Sequence, residues 1–495
     1  MGKKAHTRHV PKQQTKHRAA HNLTFANELE TQIDILLKLT TQTPNANVNK
    51  EFEAVKEIYA VLDKIRILEN NIDSKYFRDD RSRLDVAILE RFGTWLKEFG
   101  AKFEGTAIKE FDGYDLGLKA EVDIPVESLI IAVPRKLMLT VEAAKKSGLG
   151  HLIENDKIMQ NMPNVALTIY LLFEKFSPDS FWEPYFNILP QNYSTVLYFN
   201  LEDLELLTGS PTFKSVLNQI KHISRQYAYF HKMISTAQDS ACEVLRKRFT
   251  FKEYCWAVST IMTRQNTIPS EDGKERVNAL IPLWDMCNHT NGSISTDYNP
   301  ELDRCECLAI KNFKAGDQLF IFYGPRTNAD LFVHNGFVYE ENEFDFYPLT
   351  LGVSQSDVLR DKRLEILGKL NIDLSVPFKL TKNSPPIDGD LLAFLRIFNM
   401  NEEQLNHWLS GDRCNDLTYS ECALETVLEK KTWMFLQMRM KLLLSSYKTT
   451  LDEDLGMISN KNSCNKNLII RLKVTEKRIL YCVLEYAEQC LKQFI

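Results

Sequence analysis

The sequence lacks the apolar segments that attach a chain to a membrane or direct its export. No run approaches the ~18 consecutive apolar residues of a membrane span. The first residues, MGKKAHTRHV, contain no apolar core of a secretory signal. They begin with Met-Gly, but His6 occupies the position where the myristoylation pattern requires Ser or Thr. We therefore predict a soluble protein without a membrane partner, located in the cytoplasm, with the nucleus as an open alternative.

The cysteine pattern excludes the common zinc and disulfide frameworks. None of the ten cysteines forms a C-x-x-C pair, and the C-x-C of Cys305 and Cys307 has no second pair near it. Without a secretion signal, we expect reduced thiols, several of them small core residues. No other cluster of metal-ligand residues is visible, so no metal is predicted.

Acidic residues are absent from the first 21 positions, which carry six Lys and Arg side chains. Subtracting that +6 from the net charge of −5 leaves −11 for the rest of the chain. An acidic body argues against broad binding to a phosphate backbone, so nucleic acid is not an expected partner. The tail itself is typical of a disordered arm, with nuclear targeting left open.

No internal repeat of ~20–50 residues is present, which excludes solenoids and propellers. Helical periodicity extends from about 29 to 71 and is broken by TQTPNANVN, whereas LGLKAEVDI and LIIAVP predict neighbouring strands. Residues 141–260 are again helical, and CECLAI and DQLFIFYG predict further strands. From about Ser354 the chain is helical. Strands on both sides of a helical insert must therefore meet in one β-rich domain.

The segment IPLWDMCNHTNG, residues 281–292, contains the residues that are most informative about function. By itself it predicts a strand that enters a polar loop, because Asn and His suit tight turns. Together with DQLFIFYG, however, WDMCNH resembles the C-terminal half of a SET domain, the fold of AdoMet-dependent protein methyltransferases. The resemblance implies that the Asn-His and Tyr segments cross in a pseudoknot beside the methyl donor.

Further segments narrow this resemblance. FWEPYFNILP is similar to the Rubisco large-subunit methyltransferase group, and SRQYAYFHKMI, AVSTIMTRQNTIP and YKTTLDED resemble its branch that methylates a histidine of actin. The implied fold is α+β: a SET domain with a helical insert, followed by an all-helical substrate-binding lobe. We predict a basic tail over 1–24, helices over 25–100, the SET domain over 101–345 with its insert at about 141–255, and the lobe over 346–495. A monomer is expected.

The first cofactor glycine of the G-x-G pattern is missing, since YDLGL has Asp115 in its place and keeps Gly117. Asp adopts left-handed conformations better than most residues, so a backbone contact there would be tolerated. If that glycine is needed for close approach, AdoMet affinity falls. The resemblance implies that AdoMet is bound by Arg83, Tyr114, Asp115, Leu116, Arg264, Asp285, Met286, Cys287, Asn288, His289, Asn335, Gly336 and Phe337.

Three residues are predicted to be catalytic and to bind the substrate, and a fourth is predicted to bind the substrate only. Tyr323 ends a strand where its hydroxyl would face the transferring methyl group, and Trp284 would supply a flat wall for the target ring. Asn266 favours histidine over lysine, because an amide can bond the far imidazole nitrogen and so expose the tele nitrogen (N3). Arg326 is expected to hold the substrate backbone. His289 is predicted to be structural.

Each of these residues also has an ordinary structural interpretation. Tyr323 could be a strand-end residue, Trp284 a core residue, and Arg264 and Arg326 surface charges. FWEPYF is predicted to be core rather than a peptide-binding surface. Two other functions remain open: a lysine methyltransferase acting on histone or another protein, which Asn266 argues against, and a non-catalytic actin-binding adaptor.

Overall fold

The computed structural model describes residues 12–73, 83–422 and 424–494. The chain divides into two compact units, and each of them has its own hydrophobic core. The first unit contains residues up to 198 and residues 216–324, and the second contains residues 199–215 and 325–495. Among the described helices, none combines the length and apolar character needed to cross a bilayer. The predicted domain boundaries stay predictions.

Three helices open the first unit: α1 (Lys12–Thr40), α2 (Val48–Asp73) and α3 (Val86–Glu98). The predicted helical break therefore lies between α1 and α2, as TQTPNANVN indicated. Helix α1 begins inside the segment predicted to be a disordered tail, and residues 1–11 of that tail lie outside the described residues. Apolar residues of α2 at spacings of three and four, such as Val55, Ile58 and Leu62, are buried.

The strands of the first unit come from both sides of the insert. Before it lie β1 (Thr106–Phe111), β2 (Asp115–Ala120), β3 (Leu129–Pro134) and β4 (Leu139–Thr140). After it lie β5 (Gln265–Pro269), β6 (Arg276–Leu280), β7 (Asn288–His289), β8 (Thr296–Asn299), β9 (Arg304–Leu308) and β10 (Gln318–Ile321).

Strands from the two sides of the insert pair directly, as predicted. One sheet has the order β1-β2-β10-β7, a second β3-β9-β8 and a third β4-β6-β5. Strands β2 and β3 are neighbours in the chain but belong to different sheets, because each of them pairs with a strand from beyond the insert. The β-rich core is therefore continuous in space, although the insert separates its strands in the sequence.

Strand β10 runs parallel to β7, which places the two SET-like motifs side by side. Phe320 lies opposite Asn288 and Ile321 opposite His289. The amide of Thr290 then donates to the Ile321 carbonyl at 3.1 Å. A parallel pair needs a long connection, and residues 290–317 supply it through β8 and β9.

Helices fill the insert, as predicted. They are α4 (Val141–Lys146), α5 (Gly150–Asn155), α6 (Lys157–Asn161), α7 (Pro163–Phe176), α8 (Glu183–Ile188), α9 (Leu201–Leu206), α10 (Thr212–Thr236), α11 (Ser240–Arg246) and α12 (Phe251–Arg264). The aromatic segment FWEPYF is core, which confirms its prediction: Tyr185 and Phe186 are buried, and the Trp182 indole donates to the Leu137 carbonyl at 3.0 Å.

The C-terminal region is helical, with one correction to the predicted all-helical lobe. Its helices are α13 (Asn328–Asp330), a π-helical turn over Leu331–Asn335, α14 (Arg360–Lys369), α15 (Gly389–Asn399), α16 (Glu402–Ser410), α17 (Thr426–Ser445), α18 (Leu451–Met457) and α19 (Cys464–Lys492). Strands β11 (Tyr347–Leu349) and β12 (Phe378–Leu380) form a small two-stranded antiparallel sheet. Phe378 and Leu380 alternate inward with Lys379 exposed, a period of two that is too short to stand out beside the helical pattern.

A buried carboxylate links segments of the second unit that are far apart in the sequence. Glu476 of α19 accepts hydrogen bonds from the hydroxyls of Ser210, Thr212 and Tyr447 at 2.7, 2.9 and 2.9 Å. Burial raises the pKa of Glu476 to about 7, although these hydrogen bonds act to lower it. The nearby charge of Asp345 adds to the rise. An acid with a raised folded-state pKa binds its proton more tightly when folded than when unfolded.

We therefore expect the stability of the second unit to fall as pH rises from about 4.5 to about 7. Over this range Glu476 is deprotonated in the unfolded chain but still protonated in the folded unit. Across this pH range, one such group lowers the free energy of unfolding by about 3 kcal/mol. Glu476→Gln should remove this contribution, so the difference between wild type and variant should depend on pH. Denaturant unfolding followed by circular dichroism at pH 5 and pH 8 measures it. A difference that is the same at both pH values would contradict the prediction.

Candidate active site

The WDMCNH segment starts at a strained turn. Leu283, a buried residue, has φ 72° and ψ −49°, a conformation near the rare γ-turn that costs a branched side chain energy. A single 3-10 turn, Trp284–Met286, follows and leads into β7. Such strain persists only where surrounding contacts fix it. Here it brings the side chain of Asp285 into the interior.

Arg264 and Asp285 form a buried ion pair at the centre of the site. The Nη1 of Arg264 donates to the backbone carbonyl of Asp285 at 2.8 Å and to its Oδ2 at 3.1 Å. The Asp285 side chain is 0% exposed and the Arg264 side chain 14%. Burial alone would lower the pKa of the Arg264 guanidinium, but the combined effect of Asp285, Tyr193 and Tyr185 raises it. The pair joins the end of α12 to the turn before β7.

Two tyrosines that the sequence analysis did not assign to the site surround this ion pair. The Tyr185 hydroxyl, on α8, donates to Asp285 Oδ2 at 2.6 Å. Tyr193 hydrogen-bonds Thr260 at 2.9 Å and also contacts Arg264. Burial raises the pKa of both phenols, so both stay neutral. The signal available in the sequence was only the aromatic content of residues 181–193.

A second guanidinium lies near the first. Arg83 donates to the Ile188 carbonyl at 3.0 Å and forms an ion pair with Asp115. Burial, and after it the charge of Arg264, lowers the pKa of Arg83, while Asp115 opposes the shift. The site therefore combines two cations, and each has a carboxylate partner. This arrangement suits an anionic group of a ligand.

Asp115 occupies the missing glycine position in the left-handed conformation that its residue type tolerates. Its φ is 63°, and its side chain is 58% exposed. The carboxylate pairs with Arg83, so the substitution supplies a counter-ion where a glycine would supply none. Tyr114, beside it, is exposed and packs edge-on against Phe320 with ring centroids 5.5 Å apart.

Gly117 keeps the second glycine position because no side chain fits there. A Cβ would lie 2.9 Å from Asn288 Nδ2 and 3.1 Å from Gln318 Oε1. That Asn288 amide donates to the Leu116 carbonyl at 3.2 Å and to Gln318 Oε1 at 2.8 Å. Asn288 thus holds β2 and β10 together, a contact across the insert that local sequence could not indicate.

Tyr323 and His289 are fixed by hydrogen bonds between the crossing segments. The Tyr323 hydroxyl donates to the Cys287 carbonyl at 2.7 Å, and its backbone amide donates to His289 Nδ1 at 3.2 Å. His289 Nδ1 is therefore an acceptor, and the ring is buried. This geometry supports the structural role predicted for His289. Met286 and Cys287 are buried, and burial raises the pKa of the Cys287 thiol.

Asn266 and Trp284 are both half-buried. The Asn266 Oδ1 accepts from the Thr267 amide at 2.8 Å, which fixes the side chain and leaves a second lone pair on the oxygen. The Trp284 indole donates to Thr296 Oγ1 at 2.8 Å, so its ring plane is also fixed. Neither residue is a freely rotating surface group.

The remaining predicted residues belong to the second unit. Arg326 Nη1 donates to Asn335 Oδ1 at 2.8 Å. Asn335 ends the π-helical turn, Gly336 caps it with φ 76°, and the Phe337 amide donates to the Leu331 carbonyl at 3.4 Å. The assigned roles of these four residues, like those in the first unit, stay predictions.

The described residues contain no group of three or more His, Cys, Asp or Glu side chains that could hold a metal ion. None of the ten cysteines, all of which lie in the described part of the chain, is paired with another, and six of them are buried.

Two family models match this chain. Residues 115–324 match the SET domain, and residues 354–480 match the family described as Rubisco LSMT substrate-binding. The chain is 43% identical over 452 residues to the actin-histidine N-methyltransferase of Mus musculus, an alignment that covers 90% of this chain and 75% of that protein. The Homo sapiens protein of the same description gives the same identity and coverage.

Among solved structures, the fold is similar to that of Rubisco LSMT bound to AdoMet. The TM-score is 0.64 at 22% identity, with 82% of this chain and 93% of that chain covered. A structure of the SET domain of LSMT bound to lysine and AdoHcy gives a TM-score of 0.63. At this identity the likeness shows the fold alone.

Gly117→Ala should lower stability by about 1–3 kcal/mol, because the new Cβ displaces the Asn288 amide or the strand that carries it. Gly93→Ala in α3 is the matched control, since nothing lies within 4 Å of its Cβ position. Alanine in that helix should be neutral or stabilise by about 0.5–1 kcal/mol. Denaturant unfolding of both variants tests this. Equal effects of the two substitutions would contradict the proposed packing at Gly117.

Proposed function

Because this chain belongs to the family of SET-domain actin-histidine N-methyltransferases, we propose that it transfers a methyl group from AdoMet to the tele nitrogen (N3) of a histidine in actin. The observation that carries the proposal is a pair of buried atoms at the ion pair. Within the described residues, Arg264 Nε and Asp285 Oδ1 have no hydrogen-bond partner. Buried polar atoms are nearly always satisfied.

These two atoms fit the amino-acid end of AdoMet. Arg264 Nε is a donor beside a second guanidinium and suits the carboxylate, while Asp285 Oδ1 is an acceptor and suits the ammonium. When bound, AdoMet supplies the methyl group as a sulfonium.

The chain contributes alignment more than acid–base catalysis. A histidine with a pKa near ~6.5 is largely neutral at neutral pH, whereas lysine near ~10.4 must first lose a proton. The Tyr323 hydroxyl donates a hydrogen bond to the Cys287 carbonyl, so its oxygen can present lone pairs to the transferring methyl group. His289 accepts from Tyr323 and is not placed to act as a general base.

Asn266 is the residue that favours histidine as the target. Its fixed side-chain oxygen can accept the N–H of the imidazole, so that the opposite nitrogen presents its lone pair. Trp284 offers a fixed ring face for stacking. The lysine alternative lacks this support. The non-catalytic adaptor is also less well supported, because Arg264, Asn288, His289 and Tyr323 are all present and ordered by hydrogen bonds.

The deciding experiment incubates the protein with AdoMet and actin whose histidines are unmodified. Intact-mass analysis should show the gain of one methyl group, and fragmentation should place it on a histidine. Modification of lysine would support the alternative enzyme, and no modification together with tight actin binding would support the adaptor. We further propose a monomer located in the cytoplasm, with the nucleus as an open alternative, which light scattering and imaging of the tagged chain would test.

Tyr323→Phe should lower single-turnover methyl transfer by at least about tenfold while changing AdoHcy affinity by less than about threefold. Only a hydroxyl is removed, and its proposed role lies at the transferring methyl group. Quenched-flow transfer to actin and calorimetry with AdoHcy give the two quantities. A parallel loss in both would identify Tyr323 as structural.

Asn266→Ala should slow methylation of the target histidine by roughly tenfold to a hundredfold, since an unpaired imidazole N–H in a dry pocket costs about 1–3 kcal/mol. AdoHcy affinity should stay near the wild-type value. Thr267→Ala is the control, because that neighbouring side chain is exposed. Single-turnover assays at matched AdoMet occupancy make the comparison. An unchanged rate for Asn266→Ala would favour the alternative hypothesis that the target residue is a lysine.

A further inference from the structure

Tyr185 is a buried residue whose hydroxyl has a specific partner in the site. It lies in the aromatic segment 181–190, for which the sequence indicated only core packing. Its side chain is 0% exposed, and its hydroxyl donates to Asp285 Oδ2 at 2.6 Å. A phenylalanine would fill the same space, so packing does not explain the hydroxyl.

The Tyr185 hydroxyl is one of two hydrogen-bond donors to the same oxygen of Asp285. Oδ2 accepts from both Tyr185 and Arg264 Nη1, while Oδ1 has no partner within the described residues. With two donors on Oδ2, the carboxylate plane is fixed and Oδ1 is aimed in one direction. Arg264 donates to the same oxygen, and among the residues that the structure describes its Nε also has no partner.

We propose that Tyr185 is a positioning residue that acts through Asp285 to aim Arg264 Nε and Asp285 Oδ1 at the amino-acid end of the methyl donor. Tyr185 itself touches neither donor nor substrate. The proposal rests on the proposed function, since it names how the AdoMet site of that function is held in shape.

The proposal predicts which part of the ligand depends on the hydroxyl. Tyr185→Phe leaves Oδ2 with Arg264 alone, so the carboxylate can rotate and the guanidinium can follow it. Contacts to a carboxylate and an ammonium would weaken, whereas contacts to adenosine, which involve other residues, would not. A ligand without the amino-acid end should therefore be insensitive to the substitution.

The experiment compares AdoHcy with 5′-methylthioadenosine, which retains the adenosine and thioether but lacks the amino-acid end. Calorimetry with Tyr185→Phe should show AdoHcy affinity lower by about tenfold and 5′-methylthioadenosine affinity within about twofold of wild type. In actin methylation, the KM for AdoMet should rise by a similar factor, with kcat at saturation within about twofold.

Tyr254→Phe is the matched control. Tyr254 is equally buried in the same unit, and its hydroxyl donates to Gln226 Oε1 at 3.1 Å. It should change unfolding stability without changing the ratio of the two ligand affinities. If Tyr185→Phe does not fold, Tyr185→Met removes the same hydroxyl with a flexible apolar side chain that adapts to irregular core space, and it should give the same selective loss.

Several outcomes would overturn the inference: equal losses for both ligands, an unchanged AdoHcy affinity, or a lower kcat with an unchanged KM. If 5′-methylthioadenosine gives no measurable heat, the division between KM and kcat decides. Absence of AdoHcy binding to the wild-type protein would instead reject the proposed function, so the two failures are distinguishable.

Discussion

The arrangement of the site depends on the buried ion pair between Arg264 and Asp285. Burying two charges costs free energy that only good geometry and further hydrogen bonds recover. Here Arg264 reaches both the carboxylate and the backbone carbonyl of Asp285, and Tyr185 donates to the same carboxylate. Removing one partner would leave an uncompensated charge in the interior. The pair therefore fixes the end of the helical insert against the turn that leads into the Asn-His strand.

A second constraint is the pairing of strands that are far apart in the chain. Strand β10 pairs with β2 on one side and with β7 on the other, and Asn288 bonds groups on both neighbours. The closeness of these segments leaves no room for a side chain at Gly117. It also brings Tyr323 against the Cys287 carbonyl. A single packing arrangement thus explains a glycine, an amide and a tyrosine that lie in three separate motifs.

The charge distribution of the site shows how a departure from a family pattern can be accommodated. Asp115 replaces a glycine, adopts a left-handed backbone and pairs with Arg83. The two guanidinium groups repel each other, and this repulsion contributes to the lowered pKa of Arg83. Asp115 and Asp285 each offset one of these charges. The position therefore gains an electrostatic role that a glycine could not have.

The sequence by itself determined the order of helices and strands, the helical insert and the motifs that identify the family, because hydrophobic period and residue type act locally. It indicated that an Asp at position 115 would tolerate a left-handed conformation, which is the conformation this residue has. Only the tertiary structure decided that β2 and β3 join different sheets, that Tyr185 and Tyr193 surround the ion pair, and that β12 interrupts the helical lobe. These features depend on contacts between residues tens to hundreds of positions apart, such as the one between Tyr185 and Asp285. No local pattern encodes such contacts, since each partner alone is consistent with ordinary core packing.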